Sequence, residues 1–261
     1  MARLAAYILE LSASGRQHFT TDQAVTALGT SVTATRAALR RLKARGDIAD
    51  PFRGFHVIVP PEYRRLGCLP ASQFVPQLML HLGERYYVAL LSAAELHGAG
   101  HQRPQSFQVM VKRNRRAIVC GEVDVQFVAR QDMETTPTVE RKTPRGMLHV
   151  STSEATMLEL VGYADRCGGL DNVASVLEEL VESVDPGRLL TECHRSPVAW
   201  VQRLGYLLDL IGQRGLAEAL AGFVTEHVTT RAPLVRSATL KGARRDKRWK
   251  LAVNAVVEPE L

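Results

Sequence analysis

Five cationic side chains, Arg36, Arg40, Arg41, Lys43 and Arg45, crowd the stretch SVTATRAALRRLKARG (31–46), although the 261-residue chain carries a net charge of only +6. Guanidinium forks suit guanine edges and phosphate oxygens, and an ammonium group suits phosphates. At about 100° per residue, Val32, Ala38, Leu39 and Leu42 share one helical stripe with Thr35 in its middle. Thr33, Ala34, Ala37, Arg40 and Arg41 fall opposite, and Arg36, Lys43 and Arg45 flank them. A helix entering a major groove needs small residues so that its backbone can approach, with long donors around them. This segment supplies both. Charge runs on helices are commonly solvated faces, but the small residues, the hairpin that follows and the local charge excess favour duplex DNA as the partner.

Charge is concentrated at two places. Residues 1–65 hold ten cations against five acids, and 231–250 hold eight against one, so the remainder of the chain is net acidic. Such basic patches attract polyanions, nucleic acid first. The second patch, LKGARRDKRWK (240–250), presents Lys241, Arg244, Arg245, Lys247, Arg248 and Lys250 as a surface suited to supporting DNA contacts or to neutralising a protein partner. Trp249 among them suggests a strand anchored by its indole.

Other chemistry is weaker. Asp124 in EVDVQFV, with Glu140 and Lys142 in TVERKT, has the residue types of a Mg²⁺-dependent nuclease: two carboxylates for the metal and a lysine for the attacked phosphate. That reading requires the two carboxylates on neighbouring strands. His97 and His101 have the i, i+4 spacing of paired ligands, but Gly98 and Gly100 argue for a helix end running into a loop. Cys193-His194 lacks a third ligand. Ser92 sits in an apolar stripe rather than on a nucleophile elbow. Gly168-Gly169 lacks a phosphate-loop context. Cys68, Cys120, Cys167 and Cys193 are scattered singly and read as buried, idle thiols of a reducing compartment. No metal, cofactor or catalytic site is expected.

The elements that must position the cationic helix are legible around it. Ala2 to Leu11 reads as a helix, and Thr21 to Leu28 as a second closed by Gly29. Ser31 caps the third, and Gly46 ends it. Strands flank an Asp50-Pro51 turn closed by Gly54, the second strand running from Phe55 to Val59, with Arg53 near the tip. Three helices and a hairpin are similar to a winged helix-turn-helix domain, except that Thr35 occupies a place where such helices usually bury an aliphatic residue. Ser31, Thr33, Ala34, Arg36, Ala37, Arg40, Arg41, Lys43, Arg45 and Arg53 are the expected DNA-contacting set.

The stretch 60–70, with three prolines and a glycine, marks the expected boundary, giving domains 1–66 and 67–261. Beyond it, PQLMLHLGERYYVALLSAAELHG suggests two helices, the second from Glu84 to Leu96. SFQVMVK, EVDVQFVA, TVERKT and MLHVS suggest a small sheet. Ser153 to Thr156, LDNVASVLEELVESV and PVAWVQRLGYLLDLIG suggest helices, and Trp249 to Val253 a last strand. The class is α+β. No apolar run approaches the ~18 residues of a spanning helix, and the start lacks a secretory signal, so the expected location is the cytoplasm, without membrane contact.

RYYVALLSAAELHGAGHQRPQSFQVMV, GMLHVSTSEATMLELVGYADRCGGLDNV and RLGYLLDLIG, in this order behind a winged helix-turn-helix, resemble the AbiEi antitoxins of bacterial abortive-infection toxin-antitoxin systems. The resemblance spans nearly the whole chain. It implies a transcriptional repressor that binds inverted repeats in its own promoter and counteracts a co-encoded nucleotidyltransferase-like toxin without a stable complex. It implies no enzymatic activity. Monomers recruited to repeated sites and a weak dimer both remain open.

Overall fold

The structure, a computed structural model, describes residues 2–100 and 104–259. It resolves into two compact units, Met1–Val88 with Gln105–Val150, and Ala89–Pro104 with Ser151–Leu261.

The first unit opens with α1 (Ala2–Ala13), β1 (His18–Thr20), α2 (Thr21–Leu28), α3 (Val32–Ala44), β2 (Ile48–Phe52) and β3 (Phe55–Ile58). Local chemistry sets the breaks. Thr20 and Gln23 form a reciprocal capping box at the start of α2, Gly29 closes that helix at φ 60°, and the Ser31 hydroxyl accepts the Ala34 N–H at 3.2 Å to open α3. The turn of the hairpin is Arg53-Gly54, because Phe52 pairs directly with Phe55. Asp50-Pro51 forms an irregularity within β2 instead of the expected turn: proline has no N–H for a regular ladder and is accommodated at a bulge.

β1, β3 and β2 make a three-stranded antiparallel sheet with β3 central. Every residue of β3 is buried, and its alternation serves two cores. Ile58 joins Leu4, Ile8, Phe19, Leu28, Leu39 and Leu42 on one side. Phe55 and Val57 join Phe74, Leu78, Val109 and Val125 on the other. Thus the stretch 60–70 is no free linker. Cys68 and Leu69 are fully buried in the second core, because that core closes over the sheet face which an isolated hairpin would leave wet.

The rest of this unit comprises α4 (Ala71–Leu82), β4 (Tyr86–Val88), β5 (Phe107–Val111), β6 (Ile118–Cys120), β7 (Val123–Ala129), β8 (Thr138–Thr143) and β9 (Gly146–Ser151). The six strands form one mixed sheet ordered β6-β7-β5-β4-β9-β8. Tyr86 to Val88 is therefore a central strand, not the start of the helix expected from Glu84. A strand covered on both faces has no polar alternation, and periodicity alone cannot separate it from a buried helix.

The second unit contains α5 (Leu90–Leu96), α6 (Ser153–Gly162), α7 (Gly169–Leu180), α8 (Pro186–Cys193), α9 (Val198–Leu210), α10 (Arg214–His227) and a small sheet of β10 (Ala232–Pro233), β12 (Leu251–Val253) and β11 (Arg244–Asp246). Helix α6 is buried along most of its length. Trp249 is sunk against α9: its indole N–H donates to Asp209 at 2.6 Å, and the Gln202 side-chain amide donates to the Trp249 and Lys250 carbonyls. The ring lies where a Cβ on Gly205 would sit, so a glycine is required there.

Gly205→Ala is accordingly expected to lower stability by about 1–3 kcal/mol through overpacking, read as a lower urea midpoint, whereas Gly215→Ala, with open space around it, leaves the midpoint unchanged or raised. A second expectation concerns pH. His18 is half-buried and stacked on Phe55 at 5.8 Å and 12°, and burial first, Arg16 second, depress its imidazole to about 4. The folded protein then prefers neutral His18. This contribution is complete above the ordinary histidine value near 6.5 and fades as pH falls from there toward 4. Tm should therefore drop between pH 7 and pH 5, and by less in His18→Gln.

Candidate nucleic-acid interface

Helix α3 is fixed from beneath. Leu39 and Leu42 enter the N-terminal core, and Thr35, only 1% exposed, joins them on the buried face. Its hydroxyl lies 2.9 Å from that of Thr30, which satisfies a polar group that burial would otherwise penalise. This explains the departure from an aliphatic residue: the threonine ties the α2–α3 turn to the helix it introduces. Val32 does not join the apolar stripe. It is 44% exposed, one step after the cap, beside Thr33 and Ala34 on the outer surface.

That outer surface collects most of the expected residues. Ser31, Thr33, Ala34, Arg36, Arg40, Arg41, Lys43 and Arg45 are exposed, Ala37 is half-buried, and Arg53 is exposed at the hairpin tip. Arg36, Arg40, Arg41 and Arg53 form no ion pair among the described residues. Lys43 and Arg45 are engaged: Lys43 Nζ lies 3.0 Å from Asp50, and Arg45 Nε lies 3.0 Å from Asp47, which also holds Arg64 at 2.7 Å. Both cations remain more than half exposed, and such surface pairs contribute only about 0–1 kcal/mol.

A chain of polar contacts, invisible in the sequence, joins this surface to the hairpin. Thr21 Oγ1 lies 2.8 Å from His56 Nε2, and His56 Nδ1 lies 2.7 Å from Asp50 Oδ1. With a neutral ring, Nδ1–H donates to the carboxylate and Nε2 accepts from the threonine. Burial works to raise the Asp50 carboxyl, but the hydrogen bonds from His56 and Lys43 outweigh it and hold it below its ordinary value. The Thr21 N–H also donates to the Gly54 carbonyl at 2.9 Å. The tip carrying Arg53 is thereby tied to the first turn of α2, and the last turn of α3 to β2.

The second basic patch divides. Lys250 Nζ donates to the carbonyls of Val224, Thr225 and Val228, closing the C-terminal end of α10. Arg248 pairs with Asp209 and Glu218 and lies 5.3 Å from the Trp249 ring centroid. These two hold the tail in place. Lys241, Arg244, Arg245 and Lys247 are exposed.

The nuclease alternative fails on topology. β7, carrying Asp124, and β8, carrying Glu140 and Lys142, are separated by β5, β4 and β9, about 19 Å at ~4.8 Å per strand. The carboxylates do not converge on a metal. Asp124 instead accepts from its neighbour Gln126 at 2.9 and 3.0 Å. Among the described residues no three histidine, cysteine or acidic side chains are grouped to hold a metal ion. His97 caps α5, and its Nε2 lies 2.7 Å from the Ser151 carbonyl; His101 lies outside the described residues. His194 packs on Phe223 and His227, and Ser92 is buried. No helix among the described residues is long and apolar enough to cross a membrane.

Residues 87–210 match the family model described as the AbiEi antitoxin C-terminal domain. Among solved structures, the RV2827C protein from Mycobacterium tuberculosis has a similar fold, with a TM-score of 0.69 over 96% of this chain and 91% of that one at 16% identity. Curated proteins yield no match. The matched span runs from β4 to the end of α9, leaving the cationic helix before it and the basic tail after it, so the similarity to the AbiEi antitoxin C-terminal domain is confined to the middle of the chain.

Proposed function

We propose that residues 1–66 form a winged helix-turn-helix module that reads duplex DNA, and that the chain represses its own operon at inverted repeats while counteracting a co-encoded nucleotidyltransferase-like toxin. The observation that carries the DNA reading is the outer face of α3. It combines small residues, an exposed N-terminal turn and three unpaired arginines on a helix whose opposite face is locked into a core. Thr33, Ala34 and Ala37 permit close approach, and Val32 suits a thymine methyl. Arg36, Arg40 and Arg41 reach base edges and phosphates. Lys43 and Arg45 exchange weak surface pairs for phosphate oxygens, and Arg53 reaches a phosphate or the adjacent minor groove. The residues after 66 constitute the antitoxin part, with Lys241, Arg244, Arg245 and Lys247 as a surface for toxin neutralisation or added phosphate contacts. Catalysis has no part in this reading, and the expected compartment is the cytoplasm.

Two half-sites on one face of the duplex lie about 34–36 Å apart or a multiple of it, a spacing that serves either a weak dimer or monomers bound side by side.

Arg40→Ala should weaken binding to the promoter repeats by about 1–3 kcal/mol, and relax preference at one base pair. Arg53→Ala should weaken all sequences alike and reduce the salt slope by about one. Gel-shift titrations at two salt concentrations separate these behaviours. Unaltered binding by Arg40→Ala would remove α3 from the groove. Neutralisation is tested by co-expressing the chain with the toxin encoded by its neighbouring gene; growth should be restored, and it should also be restored by an Arg36/Arg40/Arg41 triple alanine variant if antitoxin action resides after residue 66. Continued growth arrest with the wild-type chain would refute the antitoxin half.

A further inference from the structure

The four cysteines look alike in the sequence, but the structure divides them. Burial, with Glu159 or Glu192 adding to it, pushes the Cys167 and Cys193 thiols up to about 12. Cys68 and Cys120, by contrast, lie in one core cluster and shift each other's ionisation.

The backbone around this pair is unusually close. The Glu122 N–H donates to the Leu66 carbonyl at 2.8 Å. One step inward, a Cβ on Gly121 would collide with that carbonyl oxygen and lie 2.9 Å from Gly67 Cα. Gly121 also has φ 62°, so glycine is required there twice over. The contacts 66/122 and 67/121 run antiparallel, and continuing them by one residue sets Cys68 opposite Cys120. Residues opposite each other in such a pair have Cα atoms about 4.5–5.5 Å apart, within the range of about 4.4–6.8 Å that a disulfide spans.

Access distinguishes the two sulfurs. Cys120 is 9% exposed and Cys68 is fully buried, so a small solute meets Cys120 first. The neighbouring Cys68 thiol leads in holding the Cys120 thiol below its ordinary value; burial and the Asp50 charge oppose it, while Lys43 and the Asp50 N–H add to the lowering. The same contact first, and burial second, drive the Cys68 thiol well above its ordinary value. The more accessible Cys120 is placed to react first and the buried Cys68 to resolve it.

We propose that Cys68 and Cys120 form a peroxide-responsive dithiol–disulfide couple. The Cys120 thiolate attacks one oxygen of hydrogen peroxide; the O–O bond breaks, and the departing hydroxide takes a proton to become water, leaving a sulfenic acid. The Cys68 sulfur then attacks the Cys120 sulfur, the S–O bond breaks, and the released hydroxide takes the Cys68 proton as a second water. Two thiols lose two electrons, and one peroxide becomes two waters. A dithiol reductant reverses the bond by exchange. The disulfide pins segment 66–68 to edge strand β6, which packs against β2, beside the Asp50–Lys43 pair.

The test treats the reduced full-length chain with hydrogen peroxide, alkylates remaining thiols under denaturing conditions, and maps peptides without reduction. The expected product is a Cys68–Cys120 cross-linked peptide, with two hydrogen masses lost from the intact chain, Cys167 and Cys193 alkylated, and full reversal by dithiothreitol. Tm should rise by several degrees, because the bond closes a long loop of the unfolded chain. Cys68→Ser should stop at a Cys120 sulfenic acid that dimedone traps. Four alkylated cysteines after peroxide, an overoxidised Cys120 beside a free Cys68, or a cross-link involving Cys167 or Cys193 would each overturn the proposal. The wild-type map decides even if Cys68→Ser fails to fold. None of these measurements depends on DNA or toxin, so the couple stands or falls separately from the proposed function.

Discussion

The burial of β3 on both faces is the constraint on which the first unit depends. Phe55 and Val57 are wholly removed from water, and the neighbouring Ile58 points into the opposite core. At roughly 25 cal/mol per Å² of apolar surface, a strand that serves two cores contributes twice over to the same cooperative unit. A one-residue slip would exchange its two sets of side chains and spoil both cores. The hairpin therefore has a single register. The position of Arg53 at its tip and of α3 across its edge follow from that register rather than from any preference of the arginines themselves.

Polar contacts add precision. The Thr21–His56–Asp50–Lys43 chain crosses from α2 to β3, β2 and α3. A partly buried network of this kind is costly when half satisfied and specifying when complete. Asp50 stays ionised because His56 and Lys43 both donate to it. The ion pair at Lys43 is thus part of the hairpin's support as well as a reserve of positive charge at the end of α3. Arg36, Arg40 and Arg41 have no such duty, so a polyanion can recruit them without breaking anything.

Legibility in the sequence follows the range of the interaction. The Thr21–Leu28 helix, the Ser31 cap, Gly29 and Gly46 were readable because caps and left-handed glycines act within a few residues. Strands β5, β7, β8 and β9 showed β-branched enrichment and were expected. β4 was not, since Tyr86-Tyr87-Val88 is covered on both faces and continues directly into the apolar α5. β1, β6, α8 and α10 likewise stand outside the expected elements, the first two being three residues long. The stretch 60–70 looked like a linker because proline and glycine punctuate it, yet what it buries is decided by partners on β5, β6 and β7, far along the chain. The same distance hid the Cys68–Cys120 contact and the separation of Asp124 from Glu140, both of which depend on strand order.

A count of basic residues also overstates the charge available for binding. In the tail, Lys250 is consumed by three carbonyls at the end of α10, where a cation complements the helix dipole. Arg248 is consumed by two carboxylates and a ring. Their removal would expose backbone acceptors and release Trp249, so a loss of function in such variants would report on folding first. The α3 surface has the opposite character: its arginines can be deleted without unsatisfying a buried group. An effect of Arg40→Ala on DNA affinity can therefore be read as recognition, whereas an effect of Lys250→Ala cannot.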